Sequence, residues 1–329
     1  MSRLGQLRFV LGFLGIALTS ALANAQANFP TKPVRIIVTF SPGGAADHSA
    51  RIIAERLADR WKPHGVVIEN VLGAGGNVGA EVVHRAEADG HTLLLVSNTH
   101  AINRVLYPRT PFDITSDFAP IVMMSSSPIV VAVNPKSKIT TLKGLTEHMD
   151  QQKGQMNYLT CGVATAHHFA MELIKDATKV SGTHVPHKGC GPAVFDAVAG
   201  QVDTVIATMP AVLPFIKQGK LVPLAVTSKA RSESARDIPT VAESGIPSLQ
   251  DFAVENYYGL MAPANTPKAV LAKIEADVIA VLNTPETKTR FSNAGLDIFM
   301  LKAADMNALL KNDVQKYRKA ATTAGIKPE

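Results

Sequence analysis

The feature that most constrains this sequence is an apolar strand pattern that runs into a glycine-bearing turn and then into a helix pattern. Residues 34–40 form a β-branched run, a Ser-Pro-Gly-Gly turn follows at 41–44, and a helix is expected from about Ala45. Backbone N–H groups at such a turn and at the unpaired start of a helix attract anions. This segment therefore predicts one wall of an acid-binding pocket. Asp47 either polarises that pocket or only stabilises the helix dipole.

The N-terminal residues 1–27 are typical of a signal peptide. Arg3 and Arg8 give it a positively charged first part. The apolar segment that follows, residues 9–22, is too short for a comfortable membrane span. Small-x-small patterns predict cleavage after Ala25 or Ala27. An uncleaved anchor is the alternative, which the glycine and hydroxyl residues of the apolar segment disfavour. We therefore expect export, most simply to a bacterial periplasm.

Composition predicts an ordinary globular protein with two domains. A mature chain of about 300 residues exceeds a single hydrophobic core. The sequence is 46% hydrophobic and 18% charged, with a formal net charge of +6. Its basic residues are scattered and aromatic residues make up only 5%. This pattern argues against a nucleic-acid partner and mildly favours acidic ligands.

Strand and helix patterns alternate along most of the chain, as in α/β proteins. The strand patterns are short, nearly continuous apolar runs of the kind found in buried parallel sheets. Two lobes of similar size predict a clam-shell whose loops, after the carboxyl ends of the strands, carry the function. The main predicted strands cover residues 34–40, 66–69, 92–96, 129–133, 156–160, 202–207, 221–226 and 254–261.

Several of these strands lead into polar or glycine-rich loops. The loop at 73–79 resembles a dinucleotide fingerprint, but its spacing is wrong, and Ser97 and Asn98 stand where a ribose-binding acid is expected. No nicotinamide or other cofactor is therefore predicted. The preferred interpretation of residues 73–79 is a second helix N-terminus at the cleft, and the alternative is a turn needed for close packing. Residues 97–100 either contact a ligand or cap a short helix.

Cys161 and Cys190 are the only cysteines, and an even count in an oxidising compartment favours one disulfide. Two free buried thiols are the alternative. His167 and His168 are adjacent on a predicted helix and point about 100° apart, so they make a poor pair of metal ligands. No metal is predicted. A Cys190 nucleophile with His187 as its base is a further alternative, which a disulfide would abolish.

Long motifs in a fixed order resemble the Bug-type solute receptors of tripartite tricarboxylate transporters. The resemblance spans the mature chain. Its pieces are FPTKPVRIIVTFSPGG with Asp47 and Arg51, VVIENVLGAGGNVGA, ADGHTLLL, CGVATAHHFAMEL, VPHKGCGPAVFDAVAGQVD and YYGLMAPANTPKAVLAKI.

The resemblance implies an α/β periplasmic binding protein fold of type II, with mixed sheets and a ligand cleft between two lobes. Residues 28–128 and 257–329 would form lobe 1, and residues 129–256 lobe 2. It implies a monomeric, non-catalytic receptor that captures a small organic acid for the permease subunits of a membrane transporter. Such receptors hold a carboxylate mainly through main-chain groups, often with bridging waters. The implied contacts are Ser41, Gly43, Gly44, Ala45, Ala46, Asp47, Asn77, Ser97, Asn98, Thr99 and His100 in lobe 1, and Gly162, Thr165, His187, Gly189 and Thr208 in lobe 2.

The sequence departs from the usual family pattern at three of its motifs. Ala46 stands in PGGAAD where the family usually has PGGGTD, His187 replaces a usual tyrosine, and Ala164 replaces a usual glycine. We expect His100 and His187 to reach the variable end of the ligand and, when protonated below about pH 6.5, to favour doubly charged acids. The alternatives left open are a periplasmic sensor that presents a carboxylate to a membrane kinase, and a cysteine- or metal-dependent enzyme.

Overall fold

The computed structural model describes residues 29–323, so the predicted signal peptide and the last residues of the predicted lobe 1 lie outside it. Ten strands occur in the described residues. They are β1 Val34–Val38, β2 Val66–Asn70, β3 Thr92–Ser97, β4 Phe118–Val133, β5 Asn157–Thr160, β6 Thr183–Pro186, β7 Thr204–Thr208, β8 Val222–Val226, β9 Glu255–Pro263 and β10 Asp297–Lys302.

Helices separate most of these strands, as the alternating sequence pattern predicts. Short 3-10 turns occur at Ala74–Gly76, Pro135–Ser137, Ala242–Ser244 and Pro247–Leu249. The α-helices of the described residues are α1 Ala45–Arg60, α2 Asn77–His84, α3 Asn98–Leu106, α4 Leu142–Gln152, α5 Ala166–Thr178, α6 Cys190–Ala199, α7 Met209–Lys217, α8 Lys268–Leu282, α9 Pro285–Asn293 and α10 Ala303–Thr323.

The strands form one mixed sheet in the order β2-β1-β3-β9-β4-β7-β5-β6, with β8 and β10 also pairing with β4. In the first half-sheet, β1 runs parallel to β2 and β3, and β9 is antiparallel to both β3 and β4. In the second half-sheet, β5 runs parallel to β6 and β7, and β7 is antiparallel to β4. The parallel strands of each half direct their carboxyl ends, and the loops that follow them, to one edge.

Strand β4 belongs to both half-sheets. Its first part, Phe118 to Pro128, pairs with β9, and its last part, Ile129 to Val133, pairs with β7 and β8. Strand β9 brings the chain back to the first half-sheet after the second is complete. The result is the predicted two-lobed α/β fold, with the loops at residues 39–44 and 187–189 on opposite halves.

The cores lie between the sheet and its helices. In the first half, α1 packs on the sheet, where Trp61 is buried and donates from Nε1 to Asp277 Oδ2 of α8 at 2.6 Å. In the second half, Cys161 and Cys190 share one cluster with Val205 and Ala207 of β7 and with apolar residues of α7. These cores hold each half rigid, so the loops at the strand ends keep fixed positions. Within residues 29–323, no helix is long and apolar enough to cross a membrane.

Two strand segments were not predicted. Strand β10 lies on β4, but its sequence, DIFMLK, does not alternate between apolar and polar residues. The first part of β4 carries Pro120, Pro128 and a run of serines, which favour loops in a sequence. The pairing with β9 accommodates this segment through two register shifts, between Pro120 and Val122 and between Met123 and Ser125.

Candidate ligand-binding cleft

A small cavity lies where the loops of the two half-sheets meet. Its volume is about 30 Å³, enough for one or two waters and far less than an organic acid needs. An organic acid therefore does not fit between the two halves in this arrangement of the loops. The lining residues come from both halves and are Phe40, Ser41, Gly44, Ala45, Ala46, Thr99, Cys161, Thr165, His167, Gly189, Cys190, Thr208, Asn256 and Tyr258.

Helix N-termini dominate this lining. The N-cap residues of α1, α6 and α7 are Gly44, Gly189 and Thr208, and none of them makes a capping side-chain hydrogen bond within residues 29–323. The N-cap of α5 is Thr165, whose hydroxyl accepts from His168 N at 3.4 Å. Each uncapped terminus leaves N–H groups without intrahelical partners and carries a partial positive charge. Among the described residues, the lining contains no lysine or arginine, so the backbone supplies the attraction for an anion.

Asp47 holds the first loop in shape. Its carboxylate accepts from Gly43 N at 3.1 Å, Arg51 Nε at 2.9 Å and Asn70 Nδ2 at 3.0 Å. Burial raises the pKa of Asp47, but the hydrogen bonds from Arg51, Asn70 and Gly43 outweigh it and leave the pKa below its ordinary value. The Gly43 N–H is thus already bonded. Neither Gly43 nor Asp47 lines the cavity, whereas Ser41, Gly44, Ala45 and Ala46 do.

The start of α3 contributes Thr99 to the lining, while its neighbours are engaged within the first half. Asn98 donates from Nδ2 to Glu255 O at 2.7 Å and to Tyr317 Oη at 3.1 Å. Ser97 N donates to His100 Nδ1 at 3.1 Å. Burial lowers the pKa of His100 to about 4, so it stays neutral at pH 6.5 and the expectation of a protonated His100 there is wrong.

Three further predicted contacts do not line the cavity. Asn77 accepts at Oδ1 from Asn103 Nδ2 at 3.0 Å, beside α3. The carbonyl of Gly162 accepts from Thr165 Oγ1 at 2.8 Å, which shapes the loop before α5. His187 Nε2 lies 2.7 Å from Asp196 Oδ2 on α6. The roles of Asn77, Gly162 and His187 as ligand contacts therefore remain predictions.

The predicted disulfide is confirmed. Cys161 and Cys190 are joined with an S–S distance of 2.01 Å, and both line the cavity. The bond ties the loop before α5 to the start of α6. It also removes the thiol that a Cys190 nucleophile would need. Cys161, His167 and Cys190 lie close enough to suggest a metal site, but bonded sulfurs are not thiolate ligands.

Comparison with known proteins identifies the family. Residues 49–325 match the tripartite tricarboxylate transporter family receptor, TctC. The chain belongs to this receptor family. It is 30% identical to Protein BugT of Bordetella pertussis over 97% of this chain and 98% of BugT. The resemblance stated from the motifs is therefore confirmed.

Solved structures of similar proteins share the fold of this TctC receptor. One is Rpa4515 of R. palustris with adipate, at a TM-score of 0.87 and 30% identity, covering 92% of this chain and all of that one (100%). Another is MatC (Rpa3494) of Rhodopseudomonas palustris with bound malate, at a TM-score of 0.81 and 27% identity, covering 89% of this chain and 99% of that one. The structure of the periplasmic binding protein BugD is also similar, at a TM-score of 0.85 and 28% identity, covering 92% of this chain and 100% of that one. The predicted periplasmic binding protein fold is thus confirmed.

Four lining residues of the TctC receptor were missed by the sequence analysis: Phe40, His167, Asn256 and Tyr258. His167 is in the first turn of α5, directly after a predicted binding loop, so its place on that helix could have marked it. Asn256 and Tyr258 share one face of β9 by strand periodicity. Nothing in the sequence indicates that this late strand returns to the cleft, so no local signal could have found them.

Proposed function

We propose that this receptor captures a small organic carboxylate in the cleft between its halves and delivers it to a membrane transporter. The observation that carries the proposal is the set of uncapped helix N-termini around a cavity that, within residues 29–323, is lined by no lysine or arginine side chain. Such a site attracts an anion through main-chain N–H groups and helix dipoles. Relatives of similar structure with adipate and malate support the same ligand class.

The proposed lobes are residues 28–128 with 257–329, and residues 129–256. The pairing of β4 supports this division, since its partners change from β9 and β10 to β7 and β8 near Pro128 and Ile129. The two lobes would separate to admit an acid and close over it, because the cavity of about 30 Å³ is smaller than the ligand. Closure would bring the helix ends of both lobes onto one carboxylate.

The proposed ligand contacts are the residues that the sequence predicts. Those that also line the cavity would contact the ligand directly. Ser41 and the N–H groups of Gly44 to Ala46 would anchor the carboxylate from one side. Gly189 and Thr208 would meet it from the other side. The remaining predicted contacts are Gly43, Asp47, Asn77, Ser97, Asn98, Thr99, His100, Gly162, Thr165 and His187. They would support the loops or reach larger ligands through bridging water.

We further propose an exported, periplasmic monomer, cleaved after Ala25 or Ala27, that docks on the permease subunits of a tripartite transporter. Binding would occur without chemical change. The disulfide supports this, since it leaves neither cysteine as a nucleophile.

The test is thermal unfolding of the mature protein against a panel of acids, neutral sugars and amines. A ligand at 100 times its dissociation constant should stabilise the protein by about 2.7 kcal/mol, which is an easily measured shift. Calorimetry should then give one site per chain, and NMR should recover the acid unchanged. Stabilisation by sugars or amines with none by acids would overturn the proposal. Consumption of the acid would make the protein an enzyme instead.

A further inference from the structure

The loop before α5, residues 161–165, has a backbone that needs support from its surroundings. It supplies Cys161 and Thr165 to the cavity lining. Gly162 has a φ of +145°, and Ala164 has a φ of +58°, in the left-handed region that residues with a side chain rarely adopt. An alanine in this conformation costs more free energy than a glycine would, so contacts around the loop must favour it.

The Thr160 hydroxyl fixes the first turn of this loop. Thr160 is fully buried at the end of β5. Its Oγ1 accepts from Gly162 N at 3.3 Å and lies within donating distance of Gly162 O, at 3.2 Å. Gly162 O also accepts from Thr165 Oγ1 at 2.8 Å, and Thr165 is the N-cap residue of α5. One buried hydroxyl is therefore linked through Gly162 to a residue that lines the cavity.

His184 of β6 holds that hydroxyl from behind the loop. Its Nε2 lies 2.6 Å from Thr160 Oγ1, closer than either atom of Gly162. Burial lowers the pKa of His184 to about 4, so the ring is neutral near pH 7. The bond forms whichever ring nitrogen carries the hydrogen, because a hydroxyl can both donate and accept. His184 is not among the described residues that line the cavity, so its side chain reaches the cleft through Thr160.

The ring of His184 is itself fixed by two neighbouring rings. Tyr158 of β5 stacks on it with ring centroids 5.3 Å apart, and His168 of α5 stacks on it at 4.0 Å. Glu172 of α5 accepts from the Tyr158 hydroxyl, which joins the helix to the strand. The imidazole therefore has little freedom to turn Nε2 away from Thr160.

We propose that His184 is a positioning residue of the acid-binding cleft, which acts through the Thr160 hydroxyl on the loop before α5. This inference rests on the proposed function and adds to it a residue outside the cavity lining. Without the bond from His184, the Thr160 hydroxyl is free to turn and Gly162 loses a fixed partner. The loop must then be ordered when the acid binds, and affinity falls because binding includes the cost of that ordering.

A double-mutant cycle tests whether His184 and Thr160 act as one unit. His184→Phe keeps a ring that stacks on Tyr158 and His168 but removes Nε2, and Thr160→Val removes the hydroxyl at nearly constant shape. Calorimetry uses the tightest binder among succinate, adipate, malate and citrate. We expect Thr160→Val to weaken binding about tenfold and His184→Phe about fivefold. The double variant should bind no more weakly than Thr160→Val, because both substitutions break the same connection.

Rescue and control variants separate positioning from a general loss of stability. Thr160→Ser keeps the hydroxyl, and His184→Gln places an amide nitrogen or oxygen near the position of Nε2, so each should bind within about threefold of wild type. Thr146→Val is the matched control. Thr146 is a buried threonine of α4 whose hydroxyl donates to Lys143 O at 2.9 Å, and it does not line the cavity. Its variant should keep the wild-type affinity.

Hydrogen exchange in the ligand-free protein measures the loop directly. The Gly162 N–H should exchange several-fold faster in His184→Phe than in wild type, because its acceptor is no longer held. The Phe169 N–H, which donates to Thr165 O at 3.0 Å at the start of α5, should keep its wild-type rate. Faster exchange at both amides would show that the whole half is destabilised rather than the loop alone, and would overturn the inference.

The outcomes separate this inference from the proposed function. Affinity losses that add in the double variant, or an unchanged Gly162 exchange rate in His184→Phe, overturn the inference while carboxylate binding stands. An equal loss of affinity in Thr146→Val also overturns it, since affinity would then follow stability. If wild type binds no acid of the panel, the proposed function fails and the inference falls with it. If His184→Phe does not fold, the same cycle is run with His184→Leu, which also lacks a hydrogen-bonding atom.

Discussion

Gly189 and Ser41 meet across the cleft so closely that no side chain fits between them. A Cβ atom on Gly189 would lie 1.8 Å from Ser41 Oγ and 2.8 Å from Ser41 Cβ. Gly189 precedes α6 in the second half of the sheet, and Ser41 precedes α1 in the first. The absence of a side chain at position 189 therefore permits the two binding loops to touch and close the cavity.

Gly189→Ala should hold the cleft open. The added methyl group overlaps Ser41 in the closed arrangement, so closure over a ligand becomes unfavourable. We expect acid affinity to fall by about tenfold or more, equivalent to about 1.4 kcal/mol. Because Gly189 has a φ of +123°, the variant should also lose about 1 kcal/mol of stability. Calorimetry measures the loss of acid affinity, and thermal unfolding measures the loss of stability.

Two matched variants separate overlap from backbone strain. Gly219→Ala also replaces a glycine of positive φ, at +67°, but its Cβ meets nothing within 4 Å, so it should lose stability and keep affinity. Adding Ser41→Gly to Gly189→Ala leaves Ser41 Cα, at 3.9 Å, as the nearest atom, so the double variant should bind acids about as well as the single Ser41→Gly variant. If Gly189→Ala lowers affinity as much in the Ser41→Gly protein as in wild type, the contact does not control closure.

Ala45→Pro tests the main-chain anchor. Ala45 is the first residue of α1, where proline is tolerated, and Gly44 before it is extended, with φ −85° and ψ 172°, as a residue before proline prefers. The substitution removes one N–H at the cavity and should leave the helix intact. We expect all acids to lose affinity by a similar factor, about tenfold. Calorimetry against three acids of different length measures this.

Lys268→Pro is the control for that substitution. Lys268 is the first residue of α8 and follows Pro267, whose φ is −55° and ψ 132°. The substitution therefore also removes the N–H of the first residue of a helix, but at a position that does not line the cavity. Its acid affinity should equal that of wild type. Normal binding by a folded Ala45→Pro variant would mean that this N–H does not hold the carboxylate.

Burial of His100 should make the protein less stable in mild acid. The unfolded chain takes up a proton near pH 6.5, whereas folded His100, with its pKa lowered to about 4, stays neutral. The contribution of His100 is therefore fully present above pH 6.5 and is lost as the pH falls towards 4, by up to about 1.4 kcal/mol per pH unit. Urea unfolding of wild type and His100→Asn from pH 7 to 4 should give a shallower dependence for the variant.

NMR gives an independent check on the same group. The imidazole resonance of His100 should not titrate between pH 7 and 5, because the ring is buried beside Ser97 and Thr39, with Thr39 Oγ1 at 3.4 Å from its Nε2. A titration midpoint near pH 6.5 would contradict the burial argument. It would also restore His100 as a charged group at the pH where the sequence suggested one.

The sequence predicts the strand-turn-helix units well, because each buried parallel strand is a short apolar run followed by turn residues. The observed bounds of β1 and β3 differ by at most two residues at either end from the predicted strands at 34–40 and 92–96. Only the last part of the long strand β4, residues 129–133, was predicted. Pro120, Pro128 and the serines before Pro128 favour a loop when the local sequence is considered alone. Its pairing with β9 overrides those preferences, and pairing between distant segments leaves no local trace.

For the site, the sequence predicts the loops but not the side chains that reach the cavity. Successive residues of a helix point about 100° apart, so a loop that opens a helix can place Thr99 at the cavity and His100 in the core. The same rule places His167 at the cavity while His168 stacks on His184. Which residue faces the ligand depends on how each helix packs on the sheet, and only the folded structure fixes that.

Removing the disulfide should weaken both stability and binding. The bond between Cys161 and Cys190 spans 29 residues, and a closed loop of about this length is worth roughly 3–4 kcal/mol on the chain-entropy model. It also ties the loop before α5 to the first residue of α6, and both segments line the cavity. We therefore expect the Cys161→Ser, Cys190→Ser double variant to unfold at lower urea concentration and to bind acids several-fold more weakly.

The reduced wild-type protein is the matched comparison, because it keeps both sulfur atoms and lacks only the bond. Intact-mass spectrometry should show a gain of two hydrogens on reduction, and thiol titration of the unreduced, denatured protein should find no free thiol. Reduced wild type and the double variant should then share the loss of affinity, since both free the two loops from each other. If reduction lowers stability while acid affinity stays unchanged, the bond supports the fold alone, and α5 and α6 hold the cleft without it.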